Sequence, residues 1–443
     1  MDIYLLLQKI SSILINWPLF IFVIGTSIVC TVAFGFIQFR YFIYAWRQIF
    51  VPSKPKEDTK GHVDMTPMQA FLNTLNSNLG NGSIAGVATG IYSGGPGSAF
   101  WIVFFGLLLM AVRFAEAFLS MHFAKNAPAG CKLGGPMLYL RAAPAGAVLA
   151  WLYAFLCFIF GLLGANSAQT NSIALSLQTT FGITPLVCAI AVTLFILYIV
   201  FGGSARIVAA TDKIVPIKVV VFFATTIFVL AYHYNALGAA ISLIIQSAFS
   251  SQAVTGGLIG FSVQQALRFG MFRSIFATES GLGTSAVQFG FTGSKNPMKD
   301  AILAMLSTFI STTVCFIVAL CIVASGVWNS GATSTALTIG AFNTAFGNLG
   351  GYVVSFLSIA FGVGVLVANA YICLETWLFL TGGRFSLLCS LLYCLFAFAG
   401  PFVDVTFLWA LTDIPTACML IINLWGILWL LPVIRANVLA FKK

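Results

Sequence analysis

Leu79-Gly80-Asn81-Gly82-Ser83-Ile84-Ala85-Gly86 places three glycines and two small polar residues inside a segment otherwise long and apolar enough to cross a membrane. A continuous helix is not stable there. Glycine costs about 1 kcal/mol relative to alanine in a helix interior, and in hydrocarbon each backbone group freed by unwinding needs a partner other than lipid. Unwound backbone at membrane depth therefore lines a protein cavity. A broken helix presents N–H groups at the start of its second half and carbonyls at the end of its first, so it can hold an anion beside a cation. An amino-acid zwitterion carries both charges.

Outward from that stretch, the composition sets the class. The chain has 443 residues, 60% of them hydrophobic and 7% charged, and its mean hydropathy is +1.01. It reads as an all-α polytopic membrane protein, a single domain over 1–443, because no polar block is long enough to fold as a soluble unit. The net charge of +10 resides in short loops between apolar spans, which fits the positive-inside rule and not nucleic-acid binding. Of the ten cysteines only Cys131 lies outside an apolar segment, so neither a disulfide framework nor a metal cluster is suggested. His62, His122 and His233 stand far apart, and no nucleophile is paired with a base. These residues do not offer an enzyme or a cofactor site.

Residues 1–15 lack the basic start and small-residue cleavage site of a signal peptide and read as an interfacial segment. Spans of roughly 20 residues place about eleven transmembrane helices near 18–39, 66–92, 99–123, 147–177, 184–202, 205–231, 261–290, 299–325, 350–380, 385–400 and 405–434. The most polar loop, 40–64, is expected in the cytoplasm. Arg40, Arg47, Lys54, Lys56, Lys60, Lys125, Lys132, Arg141, Arg206, Lys213, Lys295, Lys299, Arg384, Arg435, Lys442 and Lys443 then share one side, 16 of 21 basic residues. That asymmetry puts the N-terminus outside and the C-terminus in the cytoplasm.

A second interruption, Thr278-Glu279-Ser280-Gly281-Leu282-Gly283-Thr284-Ser285, lies five spans after the first. The first broken span runs outward and the second inward, as an inverted repeat of five spans plus five requires. The repeats are expected at 66–231 and 261–434, with 18–39 as an added helix. Either interruption alone also suits close helix packing.

The ordered set LGNGSIAGVA at 79–88, GGPG at 94–97 with Phe100-Trp101, Phe114-Ala115-Glu116-Ala117, GGPM at 134–137, Arg206-Ile207, Ile214-Val215-Pro216, RSIFATESGLG at 273–283, Asn296-Pro297, Leu337-Thr338 with Ala341-Phe342, and WALTDIPTACMLIINL at 409–424 resembles the alanine/glycine:cation symporter family. The resemblance covers more than 300 residues and implies a LeuT-type fold, location in the bacterial cytoplasmic membrane, and cation-driven uptake of small neutral amino acids such as alanine or glycine. It also implies that Ser77, Asn78, Gly80 and Gly82 offer backbone to the substrate with Asn81 and Ser83 beside them. Gln169 matches a binding glutamine, although the run 166–171 also reads as a packing surface, and Thr278, Ser280, Gly281 and Gly283 would line the facing wall. An amino-acid channel or a transport-inactive sensor on the same scaffold are the alternatives.

Intramembrane charges are costly enough to count as functional candidates. Arg113 and Glu116 are three apart on one helix face and suggest a structural ion pair before a proton relay; Glu279, six residues after Arg273, is expected to brace its helix in a gating or structural role; Glu375 lies at the edge of a span. In relatives, two threonines join carbonyls of the first broken helix, near Asn76 and Leu79, in a sodium site. Here Val365 and Leu366 fall at those positions, and neither side chain ligates Na+. Lys218 lies in the sixth span, where relatives are apolar. Its ammonium could fill the vacated site or, by releasing its proton, couple transport to protons; alternatively it snorkels to the interface beside Lys213. The coupling cation is accordingly Na+ or H+.

Overall fold

A computed structural model of the chain describes residues 7, 9–10, 13–50, 65–124, 134–249, 263–290, 292, 294 and 296–441. Lys54, Lys56, Lys60, His62, Lys125, Cys131, Lys132, Lys295, Lys442 and Lys443 lie outside the described residues, as do positions 261–262 of the expected second repeat. All regular structure among the described residues is helical. The principal helices are α1 (Trp17–Ala33), α2 (Phe42–Ile49), α3 (Pro67–Asn78), α4 (Ala85–Gly94), α5 (Ser98–Ala124), α6 (Gly146–Leu162), α7 (Ala168–Phe181), α8 (Pro185–Val200), α9 (Gly203–Tyr232) and α10 (Leu237–Phe249). They continue as α11 (Val263–Thr278), α12 (Thr284–Phe289), α13 (Pro297–Ala324), α14 (Ser334–Phe346), α15 (Gly350–Thr381), α16 (Ser386–Ala399), α17 (Val405–Trp429) and α18 (Leu431–Ala440).

Helix starts follow local chemistry. Thr66-Pro67-Met68-Gln69 forms a capping box: the Gln69 N–H donates to Thr66 Oγ1 at 3.1 Å, and the Thr66 N–H donates to Gln69 Oε1 at 3.0 Å. Pro67 and Pro297 occupy first-turn positions that need no N–H donor. α13 is further capped by Asn296, whose Oδ1 accepts from the Lys299 N–H at 3.2 Å.

Six described stretches are long and apolar enough to cross a membrane: Ser98–Ala124, Gly146–Phe181, Arg206–Tyr232, Pro297–Ala324, Ser334–Thr381 and Ala410–Trp429. Shorter apolar helices lie among them. α5 is central, packed on α13, α11 and α1, while α15 packs on α6, α9, α7 and α3. The periphery is oily: Leu194 and Tyr198 on α8, Ile217 and Val220 on α9, and Leu387, Leu391 and Leu395 on α16 are exposed. An apolar outer surface of this extent belongs against lipid.

Besides the short α2, which lies in the stretch expected as a loop, two helices have no counterpart among the expected spans. α10 and α14 are 13 residues each, too short to register against a span length of about 20 residues. The expected span 147–177 is also not one regular helix: Leu163–Ser167 forms a π-helical turn between α6 and α7. Such a turn carries one extra residue and is frequent at functional sites.

Candidate functional site

The first interruption is real. α3 ends at Asn78, Asn81–Ser83 forms a 3₁₀ turn, and α4 begins at Ala85. Within it the Gly80 N–H donates to Asn78 O, the Ser83 N–H to Gly80 O and the Ile84 N–H to Asn81 O, at 3.0, 3.0 and 3.2 Å. The Asn81 N–H donates to Gln169 Oε1 at 3.1 Å. Of the backbone expected to face the substrate, the Gly80 N–H is thus occupied within the protein, as are the neighbouring N–H groups of Asn81, Ser83 and Ile84. Gly82 takes part in none of these bonds, and a Cβ at Gly82 would meet no atom of the described residues within 4 Å, its chain neighbours aside. The unwound stretch is therefore open at Gly82, whereas a Cβ at Gly80 would lie 2.6 Å from Val365 Cγ2.

On and against the first break, buried side chains carry unused hydrogen-bonding capacity. Among the described residues, Asn78 Oδ1 and Nδ2, Asn81 Nδ2, Asn76 Oδ1 and Asn369 Oδ1 have no hydrogen-bond partner. Leaving such a group buried and unpaired costs about 1–3 kcal/mol, so several of them at one helix break are a polar deficit that a ligand can fill. Asn81 Oδ1 is held by the Ser358 hydroxyl at 2.8 Å. The Ser83 side chain faces the Cys315 thiol.

The run 166–171 divides its labour. Asn166 donates to Tyr393 O at 2.7 Å, Ser167 to Phe396 O at 2.9 Å, and Asn171 to Gly400 O and Val403 O at 3.0 and 2.9 Å. These tie α7 and the π turn to the end of α16. Gln169 reaches the break instead.

The second interruption, between α11 and α12, is joined to the first by Glu279. Its carboxylate accepts from the Ser77 hydroxyl at 3.0 Å and the Thr284 hydroxyl at 2.7 Å, and Asn369 Nδ2 donates to Ser77 Oγ at 2.9 Å. Glu279 holds φ +50°, an unusual value for a residue with a side chain. Its expected partner Arg273 is elsewhere. The Arg273 side chain packs along Gly86 and Gly90 of α4, so that a Cβ at Gly90 would meet its Cγ at 3.0 Å. The six-residue separation does not return to one helix face once the helix has ended at Thr278.

Arg113 and Glu116 on α5 are completely buried, 3.6 Å apart, and both hold the second break. Arg113 donates to Thr278 O and to Thr308 Oγ1. Glu116 accepts from the Gly283 N–H at 2.8 Å and from Asn423 Nδ2 at 2.7 Å, and Asn423 also donates to Gly281 O at 2.8 Å. Ser280 Oγ bonds Thr308 Oγ1 at 2.7 Å, and Thr278 Oγ1 donates to Ser274 O at 2.8 Å. Gly283, at φ +83°, presents the Cα face where a Cβ would lie 2.5 Å from both Pro136 Cγ and the Tyr153 hydroxyl. A Cβ at Gly281 would meet Leu420 Cδ2 at 2.9 Å. The polar atoms of this wall are therefore largely engaged by α5, α13 and α17.

Lys218 does not reach the surface. It is fully buried, its Nζ donates to Asn76 O at 3.1 Å and Leu79 O at 3.0 Å, and it lies 5.4 Å from the Phe361 ring centroid. Val365 packs at the break; Leu366 is buried, and its carbonyl accepts from the Tyr393 hydroxyl at 2.7 Å. Glu375, near the end of α15, is not drawn into either break by any of these contacts. Asn369, Ser358, Thr284, Thr211 and Asn423 were not singled out from the sequence. The signal was there for the two asparagines, each a lone amide in an apolar span, a position where unpaired polar groups are expensive.

Comparison with known proteins adds to this geometry. The sodium:alanine symporter family model matches residues 2–443. An uncharacterized transporter from Haemophilus influenzae is 32% identical over 441 residues, 98% of this chain and 95% of its own. The sodium/alanine symporter AgcS of Methanococcus maripaludis is 30% identical over 459 residues, 100% of this chain and 98% of its own. The amino-acid carrier protein AlsT of Bacillus subtilis is 29% identical over 439 residues, 94% of this chain and 89% of its own. A multi-pass membrane protein with two broken helices, joined by a carboxylate and matched from end to end by symporter sequences, belongs to the sodium:alanine symporter family.

Proposed function

We propose that this chain is a secondary active transporter for small neutral amino acids such as alanine or glycine, built from eleven spans as a five-plus-five inverted repeat with α1 added. The substrate sits at Gly82, between the first break and α15. The observation that carries this reading is the set of buried amide atoms on Asn78, Asn81 and Asn369, unpaired among the described residues, that lie on the first break or on the α15 side chain bonded to Ser77 beside it. Amide nitrogens suit a carboxylate and amide oxygens an ammonium, so the cluster fits a ligand carrying both. No fixed charge is needed if the ligand neutralises itself. The family and the named relatives support amino-acid transport as the class of activity; the small substrate follows from backbone and short side chains lining the opening.

Counterflow in proteoliposomes tests the reading. Vesicles loaded with unlabelled alanine should transiently concentrate labelled alanine, glycine should compete, and bulky or charged amino acids should not. Passive equilibration without overshoot would indicate a channel. Saturable binding without exchange would indicate a sensor.

A further inference from the structure

In a continuous helix the carbonyl of Asn76 would accept from the N–H of Gly80, and that of Leu79 from Ser83. Neither bond forms, because the Gly80 N–H turns to Asn78 O and the Ser83 N–H to Gly80 O. The break thus orphans two carbonyls at the C-terminal, partially negative end of α3. In transporters with discontinuous helices, carbonyls of this kind coordinate the coupling ion.

Here they are already taken. Lys218 Nζ donates to both, at 3.1 and 3.0 Å, and lies over the face of Phe361, where an aromatic ring attracts a cation. Among the described residues no carboxylate lies within ion-pair distance of it. The surrounding polar groups are neutral: Asn76 Nδ2 donates to Thr211 Oγ1 at 3.3 Å, and Thr211 donates to Asn73 Oδ1 at 3.1 Å. The opposing wall of α15 is cut to fit. A Cβ at Gly364 would stand 2.6 Å from Lys218 Nζ and 2.3 Å from the unpaired Asn76 Oδ1, so a side chain there would push both groups from these positions. Val365, next in sequence, adds no oxygen. The position on α9 is also set by design of the helix: Thr211, Val215, Lys218, Phe222, Thr226 and Val229 are all buried and recur at spacings of three and four, one inward stripe.

We propose that the Lys218 ammonium is a tethered cation that occupies the carbonyl site of the first break in place of a sodium ion, so that uptake through this chain does not need sodium. The proposal rests on the transporter reading above for its consequence, but not for its binding chemistry. Hard cations seek oxygen ligands, and the ammonium satisfies the two carbonyls with two of its three protons.

The test uses the purified full-length chain and Lys218→Ala, each compared in sodium chloride and choline chloride of equal strength. Wild-type melting temperature in detergent should be the same in both salts, and Lys218→Ala should melt higher in sodium, which re-enters the vacated site. In proteoliposomes, wild-type alanine uptake should be equal under the two inward gradients. Wild-type uptake about tenfold faster in sodium, the ratio given by about 1.4 kcal/mol, would overturn the proposal, as would a sodium-dependent rise in wild-type melting. A Lys218→Ala chain whose melting is identical in the two salts overturns it as well. If Lys218→Ala does not fold, Lys218→Gln takes its place, since its amide can still donate to one carbonyl. Absence of wild-type alanine counterflow in either salt would defeat the transporter reading alone, because the melting comparison still decides the cation site.

Discussion

Asn81 is the residue on which the proposed substrate site turns: its backbone N–H is held by Gln169, its Oδ1 by Ser358, and its Nδ2 is unpaired among the described residues. Asn81→Ala should raise the transport constant for alanine by the equivalent of about 1–3 kcal/mol, measured as initial uptake over a substrate series. An unchanged constant would make Asn81 a packing residue. Ser358→Ala should produce part of the same loss, and the double variant should fall short of the sum, because contacting residues couple. Asn81 and Gln169 were reached as candidates through the family resemblance, and the structure brings the two into contact. Ser358 was not legible, because a serine on an apolar helix declares nothing until the helix is turned toward its partner. Lys218 was half legible. The sequence left inward and snorkelling orientations open, although the three- and four-residue stripe from Thr211 to Val229 marks the inward one.

Among elements, the second break is braced by α5 more heavily than the first is by any neighbour. Removing one member of a buried ion pair is costly, about 3–5 kcal/mol, because the other charge is left without compensation. Glu116→Ala should therefore lower thermal stability in detergent strongly, since it also strips the Gly283 N–H of its acceptor and Asn423 of one of two. The Arg113→Met, Glu116→Met pair should cost less than the two single changes summed; full additivity in melting experiments would show that the pair does not act as a unit. Gly283→Ala should cost at least about 1–3 kcal/mol, as a side chain is forced into left-handed backbone and into the Tyr153 hydroxyl. Both breaks could be read from glycine placement, and the Arg113–Glu116 pairing from its spacing. The direction of Glu279 could not. A carboxylate at a helix end is aimed by backbone conformation, here φ +50°, and that brought Ser77 to it instead of Arg273.

On the scale of the whole molecule, hydropathy located the long helices because lipid demands continuous apolar length, but it passed over α10 and α14, which are shorter than a span. It passed over the wide turn at Leu163–Ser167 as well, since one extra residue changes no composition. That turn sets a phase. Inserting one residue rotates everything beyond it by about 100° while adding only about 1.5 Å of length. Gln169 follows the turn directly, so its aim at the unwound stretch depends on a counting irregularity upstream and not on its own position alone. Deleting Ala165 should leave a chain that inserts and elutes as a monodisperse species yet exchanges no alanine, its glutamine swung off the break like a key cut one notch out of register.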